Sequence, residues 1–248
     1  MSAVVLITGA SRGIGAATAL LAARQGYAVA VNYSANSLAA DEVVRQIRQA
    51  GGTAMAVQAD VADEAQVLTM FEKVDAKLGL LTALVNNAGV VDQTSRVDAM
   101  SMARFRRMFE INVYGSFVCA REAVRRMSTR HGGAGGTIVN LSSVAARLGA
   151  PGQYVDYAAA KGAIDSFTVG LAKEVAAEGI RVNAVRPGII DTDIHASGGL
   201  PDRARDMAPQ VPMQRPGSAE EVARSILWLM SPESSYTTGT VLDVTGGR

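Results

Sequence analysis

The sequence has one cysteine, Cys119, and two histidines, His131 and His195, among 248 residues. A lone cysteine closes no disulfide within its own chain. Set in an apolar stretch, it reads as a small buried hydrophobe rather than a reactive thiol. The histidines lie far apart in loop-like sequence, so no cluster has the spacing of a metal site and none is expected. An excess of one charge is also lacking. Lys and Arg number 24 against 23 Asp and Glu, a formal charge of +1, which gives no electrostatic reason to expect nucleic acid or an anionic membrane as partner. The arginines between Arg121 and Arg130 read as the solvated face of an amphipathic helix. No apolar run approaches the ~18 to 20 residues needed to span a bilayer. The first residues pass into Val4-Val5-Leu6-Ile7 with no basic leader or long apolar leader core. Repeats and low-complexity tracts are missing too. A soluble cytoplasmic protein is expected, folded as a single domain over residues 1–248.

What is present is alternation. Short β-branched runs, at Val4–Thr8, Ala28–Asn32, Ala54–Ala59, Ala83–Asn86, Thr137–Leu141, Arg181–Val185 and Thr240–Val244, are separated mostly by segments of helical periodicity. After Tyr157, for example, Ala160, Ile164, Phe167, Leu171 and Val175 recur at steps of three and four, the spacing of one buried helix stripe. Strands alternating with helices predict βαβ crossovers and an α/β fold, a doubly wound parallel sheet with helices on both faces. Near-continuous apolar strands agree, because such strands are buried on both sides. Residues 190–216 break the pattern with Gly, charge and Pro201, Pro209, Pro212 and Pro216, and read as an irregular substrate lid. Within it His195, Met207 and Met213 are candidate pocket residues, each equally open to packing or solvent exposure.

Thr8-Gly9-Ala10-Ser11-Arg12-Gly13-Ile14-Gly15 follows the first strand and opens a helix. Its glycines permit a tight turn, close approach of backbone to a pyrophosphate and close helix–strand packing. The helix N-terminus offers free N–H groups to an anion. The second strand runs into Asn32-Tyr33-Ser34 with none of the acids that would accept from ribose hydroxyls. Such an acid repels a 2′-phosphate, so its absence, with Arg12 and Ser34 nearby, favours NADP(H) over NAD(H). Asp60-Val61 closes the third strand. Asp60 either accepts from the adenine amino group or caps the helix that starts near Asp63. Asn86-Asn87-Ala88-Gly89 closes the fourth, where amides can tie strand ends together while the backbone passes the cofactor.

Tyr157 and Lys161 stand four residues apart, one helical turn, so both leave the same helix face. An ammonium near a phenol favours the phenolate and brings a group that titrates near 10 toward service as an acid/base.

Taken together, these motifs resemble the short-chain dehydrogenase/reductase family, classical subgroup. The likeness runs from Thr8 through Asn86–Gly89 and Tyr157/Lys161 to Pro187-Gly188. Among members the chain looks like 3-oxoacyl-carrier-protein reductases and glucose 1-dehydrogenase-like proteins. The resemblance implies a single Rossmann-like domain with about seven parallel strands, often a homotetramer (a homodimer is the simpler alternative). It also implies a catalytic set: Tyr157 as acid/base, Lys161 lowering its pKa and holding the nicotinamide ribose, a serine binding the substrate oxygen, and Asn112 bending a helix and holding a water that links Lys161 to solvent. The second serine of the Ser142-Ser143 pair is the one it favours. The spacing from Ser143 to Tyr157 is one residue longer than usual, pointing to an altered loop through Pro151-Gly152-Gln153-Tyr154. Ile189 and Thr192 match contacts near the carboxamide, beside Pro187 and Gly188. The implied activity is hydride transfer between the nicotinamide and a carbonyl or secondary alcohol, with specificity set by residues 190–216 and the loop Asp92–Met102. A non-catalytic dinucleotide sensor on the same fold is the alternative, as fold alone does not fix function. An epimerase or dehydratase of the extended branch would carry a larger C-terminal region than follows the last strand here.

Overall fold

A computed structural model of the chain describes residues 3–193 and 198–248. Seven strands form one parallel sheet: β1 Val4–Ile7, β2 Ala28–Tyr33, β3 Ala54–Gln58, β4 Ala83–Asn86, β5 Gly136–Leu141, β6 Ile180–Pro187 and β9 Val241–Val244. Their order is β3-β2-β1-β4-β5-β6-β9, so the winding reverses between β1 and β4. At such a switch point the flanking helices diverge and leave a crevice at the carboxyl ends of the strands. A separate pair, β7 Ile190–Asp191 and β8 Gly217–Ser218, brackets the stretch read as a lid.

Burial of both faces follows from residue parity. In β1, Val5 and Ile7 join one core cluster, with residues of α1 (Gly13–Arg24), α2 (Ser37–Gln49) and α9 (Ala219–Met230). Val4 and Leu6 join the other, with α3 (Glu64–Leu78), α5 (Gly115–Met127) and α7 (Val155–Val175). Each such side chain, fully buried, is worth roughly 1.5–3 kcal/mol, so apolar burial is the main force holding both layers. Cys119 is one of these core residues, and burial pushes its thiol up to about 12. The arginines of α5 are more than a solvated face: Arg121, Arg125 and Arg126 all pair with the buried Glu122.

Two elements depart from the expected pattern. Strand β6 extends through Pro187, where the ring sits at the strand's end. The region after Ile190 is partly regular: besides β7 and β8 it carries α8 (Arg203–Met207) and a 3-10 turn at Ala208–Gln210, packed through a small cluster of Ile189, Ala204 and Val211. Among the described residues no helix is long and apolar enough to cross a membrane, and no group of three or more His, Cys, Asp or Glu is placed to hold a metal ion.

Candidate active site

One cavity of about 950 Å³ opens over the carboxyl ends of β1, β4, β5 and β6. Gly9, Ser11, Arg12, Gly13 and Ile14 border one arm of it. Gly9 has φ +60° and Gly13 φ +55°, the left-handed region that favours glycine. A Cβ on Gly9 would lie 2.9 Å from Ala88 Cα. Gly15 does not border the cavity, contrary to expectation. A Cβ there would lie 2.5 Å from Asn87 Nδ2 and 2.6 Å from Gly9 O, so its role is close packing.

That packing is tied by side chains. Thr8 Oγ1 accepts from the N–H groups of Asn87 and Ala88, each at 3.0 Å. Asn87 Nδ2 donates to Thr8 O at 2.8 Å and Gly9 O at 2.9 Å. Asn32 also borders the cavity, but its amide is committed elsewhere. Oδ1 accepts from Gly9 N at 3.1 Å, and Nδ2 reaches Val57 O and Ala59 O. It braces three strand ends and has little left for a ligand. Tyr33, Ser34, Asp60, Val61, Ala88 and Gly89 line the same arm. Asp63 caps α3 by accepting from Gln66 N. Asp60 is therefore not the cap; its Oδ1 accepts from Ala62 N at 3.0 Å.

This arm fits a dinucleotide: a cradle that a Cβ would fill, a helix N-terminus behind it, and no acid at the end of β2. Pro187, Gly188, Ile189 and Thr192 also line the cavity; Thr192 lies 3.5 Å from where a Cβ on Gly13 would stand, and Gly188 is required because a Cβ would meet Thr245 Cα at 2.8 Å.

Tyr157 and Lys161 leave α7 on one face, with Lys161 Nζ 5.7 Å from the phenol ring centroid. Lys161 is buried, and Nζ donates to Leu141 O at 2.6 Å. Ser142 turns inward and donates to Lys161 O at 3.3 Å, whereas Ser143 borders the cavity with Tyr157 and its Oγ accepts from Ala145 N at 3.1 Å. In the chain alone the pKa order is the reverse of the expectation. Burial pushes Tyr157 up to about 12, against the pull of Ser143. Burial also pushes Lys161 down to about 8, opposed by Asp165. Desolvation disfavours both charged forms and is the largest cause at each. Part of Tyr157 still borders the cavity, so water there offsets some of that cost.

Asn112 lies behind the cavity wall, fully buried in a π-helical turn, Glu110–Tyr114, between α4 (Met102–Phe109) and α5. Such turns bulge a helix and occur often at functional sites. Its Oδ1 accepts from Val90 N at 3.1 Å and its Nδ2 donates to Val90 O and Met108 O, each at 3.0 Å. The amide therefore clamps the segment after β4. A Cβ on Gly89 would lie 2.8 Å from Asn112 Oδ1 and 3.5 Å from Lys161 Nζ, so glycine lets these two groups approach.

The structure brings further residues to the cavity that the motifs did not indicate: Leu148, the last residue of α6 (Ala145–Leu148), with Ala150, Gln153, Tyr154, Arg203 and Arg248. The longer loop supplies Ala150, Gln153 and Tyr154; Ala150 adopts φ +45° and Tyr154 N donates to its carbonyl. Of the residues expected in the pocket, Met207 lines it. Met213 does not; it is exposed and lies against Gly246. His195 lies outside the described residues. No residue of the loop 92–102 lines the cavity, although the loop is tied to its rim by Ser95 N donating to Gln153 O and to α4 by Arg104 Nη1 donating to Gln93 O.

A parallel doubly wound sheet with a glycine cradle and a Tyr–Lys pair at its switch point defines a nicotinamide-type oxidoreductase. Residues 9–248 match the family described as Enoyl-(Acyl carrier protein) reductase. The chain is 56% identical to "Uncharacterized oxidoreductase YgfF" of Escherichia coli (strain K12), over 99% of this chain and 100% of that one. It is 42% identical to cis-4-hydroxycyclohexanecarboxylate dehydrogenase of Sinomonas cyclohexanicum, covering 98% and 95%. It is 40% identical to 3-oxoacyl-[acyl-carrier-protein] reductase of Synechocystis sp., covering 98% and 96%. A mutant Serratia marcescens short-chain dehydrogenase/reductase superposes with a TM-score of 0.91 at 33% identity, over 99% of this chain and 97% of that one. The protein belongs to the short-chain dehydrogenase/reductase family, whose members use nicotinamide cofactors.

Proposed function

We propose that the protein is an NADP(H)-dependent oxidoreductase acting on a carbonyl or secondary alcohol, with Tyr157 as acid/base. The observation that carries this is the gathering of Ser143 and Tyr157 on one cavity wall with the buried Lys161, whose Nζ lies 5.7 Å from the phenol ring centroid. A bound nicotinamide supplies or accepts the hydride. Ser143 holds the substrate oxygen and stabilises charge that develops on it, as an oxyanion donor does. Tyr157 gives that oxygen a proton in reduction and removes one in oxidation. Lys161, fixed by Leu141 O, sets the charge beside the phenol. Asn112 acts through the backbone, holding Val90 and leaving room beside Gly89. The two relatives with named substrates fit this reading, one named for a ring alcohol and one for a 3-oxoacyl group.

Tyr157→Phe removes the proton and little else. Turnover of a ketone with NADPH is expected to fall by about 10²–10⁴-fold, while cofactor affinity measured by fluorescence titration stays close to wild type. Near-normal turnover in this variant would refute the assignment. NADPH is expected to be used more efficiently than NADH, because β2 ends without an acid and Arg12 borders that arm. Equal kcat/KM with the two cofactors would overturn the preference. The reading further includes a cytoplasmic enzyme, no nucleic-acid or membrane partner, and self-association as a homotetramer.

A further inference from the structure

The cavity has an arm that the steps above do not use. Two arginines border it, Arg203 on α8 and Arg248 beyond β9. Arg203 is held in place: Nη2 donates to Gln153 Oε1 at 2.7 Å, and its guanidinium carbon lies 5.3 Å from the Tyr154 ring centroid. The backbone leading to Arg248 is anchored as well. Met213 N donates to Gly246 O at 3.1 Å. Gly246 and Gly247 adopt φ +65° and +95°, and a Cβ on them would meet Val211 at 2.8 Å and Pro212 at 3.0 Å. Arg248 Nη1 is buried and has no hydrogen-bond partner among the described residues. The apolar side chains of Leu148, Ala150, Ile189 and Met207 line the same cavity. The side-chain carboxylates on the cavity include Asp60 and Glu110, and among the described residues neither forms an ion pair with Arg203 or Arg248.

A buried donor on a charged group is expensive to leave unmatched. A site that keeps one is matched when its ligand brings an acceptor. Guanidinium forks pair with carboxylates in a planar, bidentate fashion. We propose that this arm recognises a carboxylate on the substrate, with Arg248 and Arg203 as its specificity-determining residues. The molecule reduced or oxidised at Tyr157 is then an oxo- or hydroxy-acid rather than a neutral carbonyl. This rests on the oxidoreductase reading above and narrows its substrate class.

The test uses the full chain with NADPH and two ketones, 4-oxocyclohexanecarboxylate and levulinate, each against its methyl ester. The wild type is expected to favour the acid by about 10- to 100-fold in kcat/KM, mainly through KM, as a charge-assisted pair contributes. In Arg248→Met the acid-over-ester ratio is expected to fall toward one, and in Arg203→Met to fall in part. Arg248→Lys restores charge without the fork and is expected to recover only some of the ratio. Equal handling of acid and ester by the wild type, or a ratio unchanged in both Met variants, would overturn the proposal. Calorimetric titration with cyclohexanecarboxylate against cyclohexanecarboxamide separates this from failure of the oxidoreductase reading. If no ketone is turned over, tighter binding of the carboxylate that is lost in Arg248→Met still supports the anion site. Equal binding of the two refutes it.

Discussion

Lys161 is a cation held where water is scarce, and that gives a pH signature. Its folded pKa is lowered from 10.5 to about 8, chiefly by burial. Below 8 the folded state carries a buried ammonium that the unfolded state hydrates freely. Between about 8 and 10.5 the unfolded chain binds the extra proton, so stability rises with pH across that window. Tyr157 acts in the opposite sense but only above 10, where an unfolded phenol ionises before the folded one. From about pH 8 to pH 10, therefore, the wild type is expected to gain on the order of 2 kcal/mol relative to Lys161→Met, measured by urea denaturation of both at each pH. A difference that stays flat with pH would show Lys161 to be well solvated. That the pair shares a helix face was legible from its four-residue spacing, and its role only when the glycine loop and the other motifs were read with it. Its electrostatics were not, because desolvation depends on how the strand end at Leu141 and the residues around Gly89 close over α7. Asn32 and Gly15 illustrate the same limit. Each sits in a cofactor-type motif, yet the amide of Asn32 is consumed by Gly9, Val57 and Ala59, and Gly15 packs on Asn87.

At the scale of elements, α4 is fastened to the start of α7 by one ion pair. Arg104 Nε donates to Asp156 Oδ2 at 2.7 Å, and Nη2 to Oδ1 at 3.2 Å, with Asp156 fully buried and Arg104 nearly so. Asp156 immediately precedes Tyr157, and α4 leads into the π-helical turn that carries Asn112. The pair thus couples the two elements that shape the floor of the site. Removing one partner strands a buried charge, which costs about 3–5 kcal/mol. Arg104→Met is expected to destabilise the protein by roughly that amount. The double variant Arg104→Met/Asp156→Leu is expected to recover much of the loss. Urea midpoints for wild type, single and double variants check this, and full stability in the single variant would sink it. The strands were readable because both-face burial leaves a plain apolar run. The π-helical turn was not, since it is held by hydrogen bonds from Asn112 to Val90, 22 positions away. The sheet order placed Tyr157, Ser143 and the glycine loop together, but it had no bearing on Arg248, which reaches the cavity through packing of Gly246 and Gly247 on the 211–213 segment.

The whole molecule leaves one face incompletely covered. Phe117 of α5 is 42% exposed and stacks on Phe167 of α7, with centroids 3.7 Å apart. On α7, Gly162, Ser166 and Gly170 recur every fourth residue, which places them on one face. A Cβ on either glycine would meet nothing within 4 Å, and Ser166 and Val169 are exposed. Glycine inside a helix is about 1 kcal/mol worse than alanine, so two glycines facing open space do nothing for the single chain. They make sense if the same face of a second copy lies close against them, as in an isologous two-fold contact. Sedimentation velocity is expected to show a homotetramer, with a dimer as the smaller assembly this face alone would build. Gly170→Glu separates the two roles of that residue. It improves helix propensity, so the isolated subunit is expected to unfold at no lower urea concentration, yet it places a charge in the contact and is expected to lower the sedimentation coefficient. A wild type that sediments as a monomer, or a variant that assembles as before, would show that α5 and α7 face only water.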